Sequence, residues 1–190
     1  MHCVLRPTPP RNLPAQDVAK EWTCSLLLAD TAGMLHVYDW EAVSAARLNA
    51  RLKMRIHDAW VHKIAHVKDA GGLISCADDG TLKVHTLGVH GELKLRYSLR
   101  SPTSKPILAF SYSAAHAALA TCGMERCIYW WSLSIAEPIN TLYGHAAAVC
   151  NVIIDDTNHQ LISCDTDSVM YATHVLALSP TAAPAPLACN

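Results

Sequence analysis

The chain has 190 residues, of which 51% are hydrophobic and 16% charged, with a formal net charge of -1. This is enough for a domain with a real core, but it supplies neither the basic face of a nucleic-acid binder nor an apolar run able to cross a bilayer. The opening MHCVLRPTPPRNLP meets prolines before a signal-peptide core can form, so the expectation is a soluble, cytoplasmic protein.

Residues 1–20 read as a proline-rich N-terminal segment. The first hairpin follows in LLLADTAGMLHVYDW (26–40), with strands near 25–29 and 34–39 and a turn built by Asp30 and Gly33. A later strand falls near 50–56, and residues 41–49 look like a helical or irregular insertion. A first strand for this unit finds no place among the prolines and polar residues upstream. The second unit places four strands, near 61–67, 72–77, 81–86 and 93–98. The third does the same near 107–112, 117–122, 127–132 and 138–142. The fourth shows three, near 149–154, 160–164 and 168–173. After it, VLAL (175–178) is a candidate for brief edge pairing, and 177–190 reads as an Ala/Pro-rich tail.

These units keep phase. Leu35, Leu82 and Ile128 occupy one slot, 47 and 46 residues apart, and Val169 follows 41 residues later. Before three of the hairpins lies a loop, and His57, Thr103 and His145 each stand 22 residues ahead of an acidic residue: Asp79, Glu125 and Asp167. A sheet of four such strands cannot cover both of its faces alone, so neighbouring sheets must stack. Cys76, Cys122 and Cys164 recur at matching strand positions, as packing thiols would.

The segments HDAWV…LISCADDGTLKV and YGHAAAV…LISCDTDSV, with LHVYDW, resemble those of WD40-repeat proteins over roughly residues 21–175. The resemblance implies an all-β fold: a WD40-type β-propeller fragment of about three to four blades of antiparallel sheet, forming an open arc. Its units are a partial blade 21–56 and blades 57–100, 101–143 and 144–176. The family often joins a loop His, a strand Ser or Thr, a turn Asp and a strand Trp in one structural network. The residues matching those roles are His57, Ser75 and Asp79, with His85 in place of Trp; then Thr121, Glu125 and Trp131, with Thr103 in place of the loop His; then His145, Ser163 and Asp167. The fourth unit counts one residue short before Val169, which brings Tyr171 or Ala172 to the Trp position.

Chemistry-bearing clusters have plainer readings. His62 and His66 are four apart, but on a strand rather than a helix. Cys122 and Cys127 flank a turn, yet zinc would need two more ligands. The pairs Asp78–Asp79 and Asp155–Asp156 sit in turns, where Asp bonds its own backbone. Trp130 and Trp131 should alternate onto opposite packed faces. The expectation is no catalytic residue, no metal and no cofactor. The expected role is a protein–protein interaction scaffold or structural subunit, with other protein chains engaged through terminal blades and loop faces, and with neither nucleic acid nor membrane insertion. The alternative is a regulatory or substrate-recruiting module supporting an enzyme on another chain. GMERCIYWW and LYGH resemble segments of cilium- and flagellum-associated members, which points to a cytoskeletal or axonemal setting.

Overall fold

A computed structural model describes residues 2–8, 23–39, 50–70, 72–87, 92–133, 135, 137–174 and 188–189. They form four sheets of four antiparallel strands, each sheet ordered as in the chain. The first sheet holds β1 (His2–Thr8), β2 (Thr23–Ala29), β3 (Met34–Asp39) and β4 (Leu52–Arg55). The second holds β5 (Val61–Val67), β6 (Gly72–Ala77), β7 (Thr81–Leu87) and β8 (Leu93–Arg100). The third holds β9 (Ile107–Ser113), β10 (Ala118–Gly123), β11 (Cys127–Ser132) and β12 (Pro138–Tyr143). The fourth holds β13 (Val149–Asp155), β14 (Gln160–Asp165), β15 (Met170–His174) and the two-residue β16 (Ala188–Cys189). The arrangement is an all-β open arc of the propeller type.

Two strands enlarge the expected pattern. The segment 1–20 supplies β1, which pairs with β2 from His2↔Ala29 to Thr8↔Thr23. Pro7 lies within β1, and an edge strand tolerates a missing N–H. At the other end, Ala188–Cys189 of the tail pairs with β15. The insertion expected over 41–49 and the VLAL segment lie outside the described residues.

Three cores join successive sheets. Leu27, Leu35 and Val37 meet Val61, Ile64 and Leu73 between the first and second. Ile74, Leu82 and Val84 meet Phe110, Leu119 and Trp131 between the second and third. Ala120, Ile128 and Trp130 meet Val149, Val152 and Leu161 between the third and fourth. The adjacent indoles of Trp130 and Trp131 therefore enter different cores, as the two-residue period of a strand requires. The central strands β6 and β10 are buried on both faces, whereas along β14 fully buried and partly buried residues alternate. Among the described residues, no core joins the fourth sheet back to the first.

Hydrogen bonds latch the first three hairpin turns to the start of the next sheet. The amides of Ile56 and His57 donate to the Gly33 carbonyl at 2.9 and 3.2 Å. The Ser101 amide donates to the Gly80 carbonyl at 2.8 Å, and the Val149 amide to that of Glu125 at 3.4 Å.

Candidate functional site

Several buried polar side chains of this apolar stack, among them His57 and His145, lie at its loop-and-turn end. In the second sheet His57 is buried between the first and second sheets. Its Nδ1 lies 3.0 Å from Asp79 Oδ2 and 3.1 Å from Thr81 Oγ1, and its Nε2 lies 2.8 Å from Ser75 Oγ. A carboxylate only accepts, so Nδ1 carries a proton toward Asp79, while Nε2 pairs with the Ser75 hydroxyl. Asp79 Oδ1 accepts from the Thr81 amide at 2.9 Å and the Thr81 hydroxyl at 2.6 Å. Burial alone would raise the Asp79 pKa, but the hydrogen bonds from His57 and Thr81 outweigh it and hold the carboxyl well below its ordinary range. The stability this gives is present above the ordinary carboxylate pKa and is lost as pH falls through the depressed one.

The fourth sheet builds a similar group with a different acid. His145 Nδ1 donates to Asp165 Oδ2 at 2.9 Å, and the Ser163 hydroxyl lies 2.8 Å from His145 Nε2. Asp167, chosen from the sequence by its 22-residue spacing, is exposed and brings only its backbone amide, which donates to Asp165 Oδ1 at 3.0 Å. The Val169 amide donates to the same oxygen at 2.9 Å. The reason is the turn. Asp165 closes it as Asp30 closes the first hairpin, where the amides of Ala32 and Met34 both donate to Asp30 Oδ1 at 2.9 Å. The His145 hydrogen bond, opposed by burial, lowers the Asp165 pKa.

The register of β14 and β15 also changes the reading of the fourth hairpin. Cys164 faces Met170, as Cys76 faces Leu82 and Cys122 faces Ile128. The hairpin is therefore not one residue short. Met170, rather than Val169, shares the slot of Leu82 and Ile128. Thr173, opposite Leu161, takes the position of Trp131, opposite Leu119; neither Tyr171 nor Ala172 does.

The third sheet splits its expected set in two. Trp131 Nε1 donates to Thr121 Oγ1 at 2.8 Å deep in the core. Glu125 stands apart from that pair and accepts from Ser101 Oγ at 2.9 Å, from the Tyr129 hydroxyl and from the Cys127 thiol. Thr103 is exposed, so Ser101 supplies the loop contact. One regularity was missed in the sequence. Tyr129 stands on its strand where His36 stands in the first sheet, and His36 Nε2 lies 3.0 Å from Asp30 Oδ2. Where no loop imidazole reaches the turn acid among the described residues, this β-strand position provides a partner. Counting from the turn would have shown it, because each residue lies on its own hairpin one position beyond the Leu35 or Ile128 slot.

The loop imidazoles His57 and His145 are buried against their partners. The His57–Asp79 and His145–Asp165 pairs are enclosed by their own loops and strands, whereas His36–Asp30 is partly exposed. Burial pushes the Cys76 thiol up to about 12 and the Cys127 thiol up to about 11, far from a reactive thiolate. Cys122 and Cys127 are free thiols. His62 stacks on Trp60 and meets Asp78 at 2.5 Å, and Asp155 bonds the amides of Thr157 and Asn158 in its own turn. Among the described residues, no three His, Cys, Asp or Glu side chains gather as a metal-holding group.

Two expected results follow. His145→Ala should cost roughly 2–4 kcal/mol, because it strands the Ser163 hydroxyl and removes the donor to a buried carboxylate. Asp167→Ala should change stability by less than about 0.5 kcal/mol, as surface substitutions do. Denaturant unfolding of the two variants side by side checks the assignment. The second concerns His85, buried at the Trp position, with Nδ1 lacking a partner. Burial, then the charges of His57 and Lys83, push its pKa down to about 4. Above about pH 6.5 the folded and unfolded chains both hold it neutral. As pH falls from there toward 4, only the unfolded chain takes up the proton, so stability drops across that window. His85→Phe should therefore gain more over the parent at about pH 5 than at about pH 7.5 in urea titrations.

A family model for the WD domain, G-beta repeat (WD40), matches residues 50–86 and 136–171. Each matched stretch runs from the outer strand of one sheet into the next, and the two contain the His57 and His145 groups. A WD40 repeat domain is thus present over part of the chain.

Proposed function

We propose that this chain is a non-catalytic protein-interaction scaffold or structural subunit of a larger assembly. The observation carrying this reading is that the buried imidazoles and carboxylates at the loop end are consumed in fastening loops to turns. That leaves a rigid arc whose variable surface is its loops. The loop-and-turn end exposes large apolar side chains, among them Trp60 (46% exposed) and Met124 (53% exposed). Both are good anchors for a protein partner. GMERCIYWW and LYGH add a cytoskeletal or ciliary setting to the proposal.

The test is in-cell crosslinking of the tagged full chain, followed by mass spectrometry and imaging. One or a few stoichiometric partners are expected at this end, with recovery falling on Trp60→Ala plus Met124→Ser while circular dichroism stays unchanged. Recovery of an enzyme as the stoichiometric partner would favour a recruiting module over a purely structural subunit. Recovery unaffected by the double substitution would refute the assigned face, and turnover by the purified chain would refute the non-catalytic reading.

A further inference from the structure

The outer face of the fourth sheet carries the positions that the other three sheets bury against a following sheet. Cys164 and Met170 are register equivalents of Ala29 and Leu35, Cys76 and Leu82, and Cys122 and Ile128. Ile162 opposite Ala172 likewise repeats Leu27 opposite Val37, Ile74 opposite Val84, and Ala120 opposite Trp130. Leu35, Leu82 and Ile128 are fully buried, while Met170 is 56% exposed. Ile153, which faces Ile162 on the same side, is 54% exposed. The fourth sheet is thus patterned for a neighbour.

The outer face of the first sheet has the complementary pattern. Leu26, opposite Tyr38, occupies the position of Leu73, Leu119 and Leu161, each of which is buried against the preceding sheet. Leu26 itself is only partly covered. Beside it lies a hollow of about 300 Å³ lined by Leu28, Asp30, His36 and Tyr38.

We propose that these two faces are the halves of one more sheet-to-sheet contact, made between two copies of the chain. The fourth sheet of each copy packs on the first sheet of the other. A second copy is the occupant because this chain carries both halves, in the register of the three contacts it already makes internally. A head-to-tail contact made twice closes on itself, and the resulting ring of eight sheets lies within the size range of such rings.

Sedimentation equilibrium of the full chain should show a discrete species of twice the chain mass. Met170→Glu alone and Leu26→Glu alone should each weaken association by about tenfold or more. An equal mixture of the two variants should recover a two-chain species, because one intact contact remains between them. This recovery separates a lost contact from a lost fold, since misfolded chains would not complement. A monomeric parent chain, association indifferent to Met170→Glu, or failure of the mixture to associate would each overturn the proposal. Polymers longer than two chains would overturn the closed ring.

Discussion

Gly33→Val is expected to destabilise the chain by about 4 kcal/mol or more, at the upper end of what single substitutions do. Gly33 has φ +78°, a conformation a β-branched residue enters only under strain. A Cβ there would lie 2.0 Å from the His57 carbonyl oxygen, a backbone atom that cannot step aside without moving the loop. That loop places His57 between Ser75 and Asp79, so the substitution disturbs the latch and the polar group together. Ser168 provides the control. It holds the same place in the fourth hairpin with φ 66°, but it is exposed, and no following loop packs on it among the described residues. Ser168 already bears a Cβ at this positive φ, so Ser168→Val should add only the extra strain of a β-branched side chain, about 1 kcal/mol or less. Thermal or urea unfolding of both variants measures the difference.

Trp131→Ala is the second large effect, expected at about 3–5 kcal/mol. The indole is fully buried between the second and third sheets among Leu82, Phe110 and Leu119. Its loss leaves a cavity and strands the Thr121 hydroxyl, which accepts from Nε1. Trp131→Phe keeps most of the volume but not the donor, so it should recover more than half of the loss. If the two variants proved equally unstable by denaturant unfolding, the hydrogen bond rather than the packing would dominate.

The hairpins were legible because strand alternation and turn residues are local signals. The paired β6–β7 and β10–β11 strands fall within a residue or two of their expected bounds. What the sequence hid depends on distant partners. β1 contains Pro7 and gains its place only by pairing with β2, whose start lies 15 residues beyond the end of β1. β16 is two residues in a low-complexity tail. The fourth hairpin was misaligned because Val169 looks more like a strand residue than the exposed Met170 does. The acid was misassigned for a related reason, since equal spacing from the loop His favoured Asp167. The stronger signal was local: Asp30-Thr-Ala-Gly33 and Asp165-Thr-Asp-Ser168 are the same turn, with an acid at its start and a positive φ at its end.

The order of the sheets also shapes how this molecule comes apart. Packing runs from each sheet to the next in sequence, so the free energy is approximately a chain of nearest-neighbour terms. Within a single, unassociated chain, loss of an end sheet forfeits one interface, while loss of an inner sheet forfeits two. Opening should therefore begin at the ends and move inward, giving amide hydrogens of β6 and β10 the slowest exchange and those of β3 and β15 faster exchange. The thiols lie along the same gradient: Cys164 is partly accessible in the native arc, whereas Cys76 and Cys122 wait for an inner interface to part. Their order of alkylation would report the direction of unravelling.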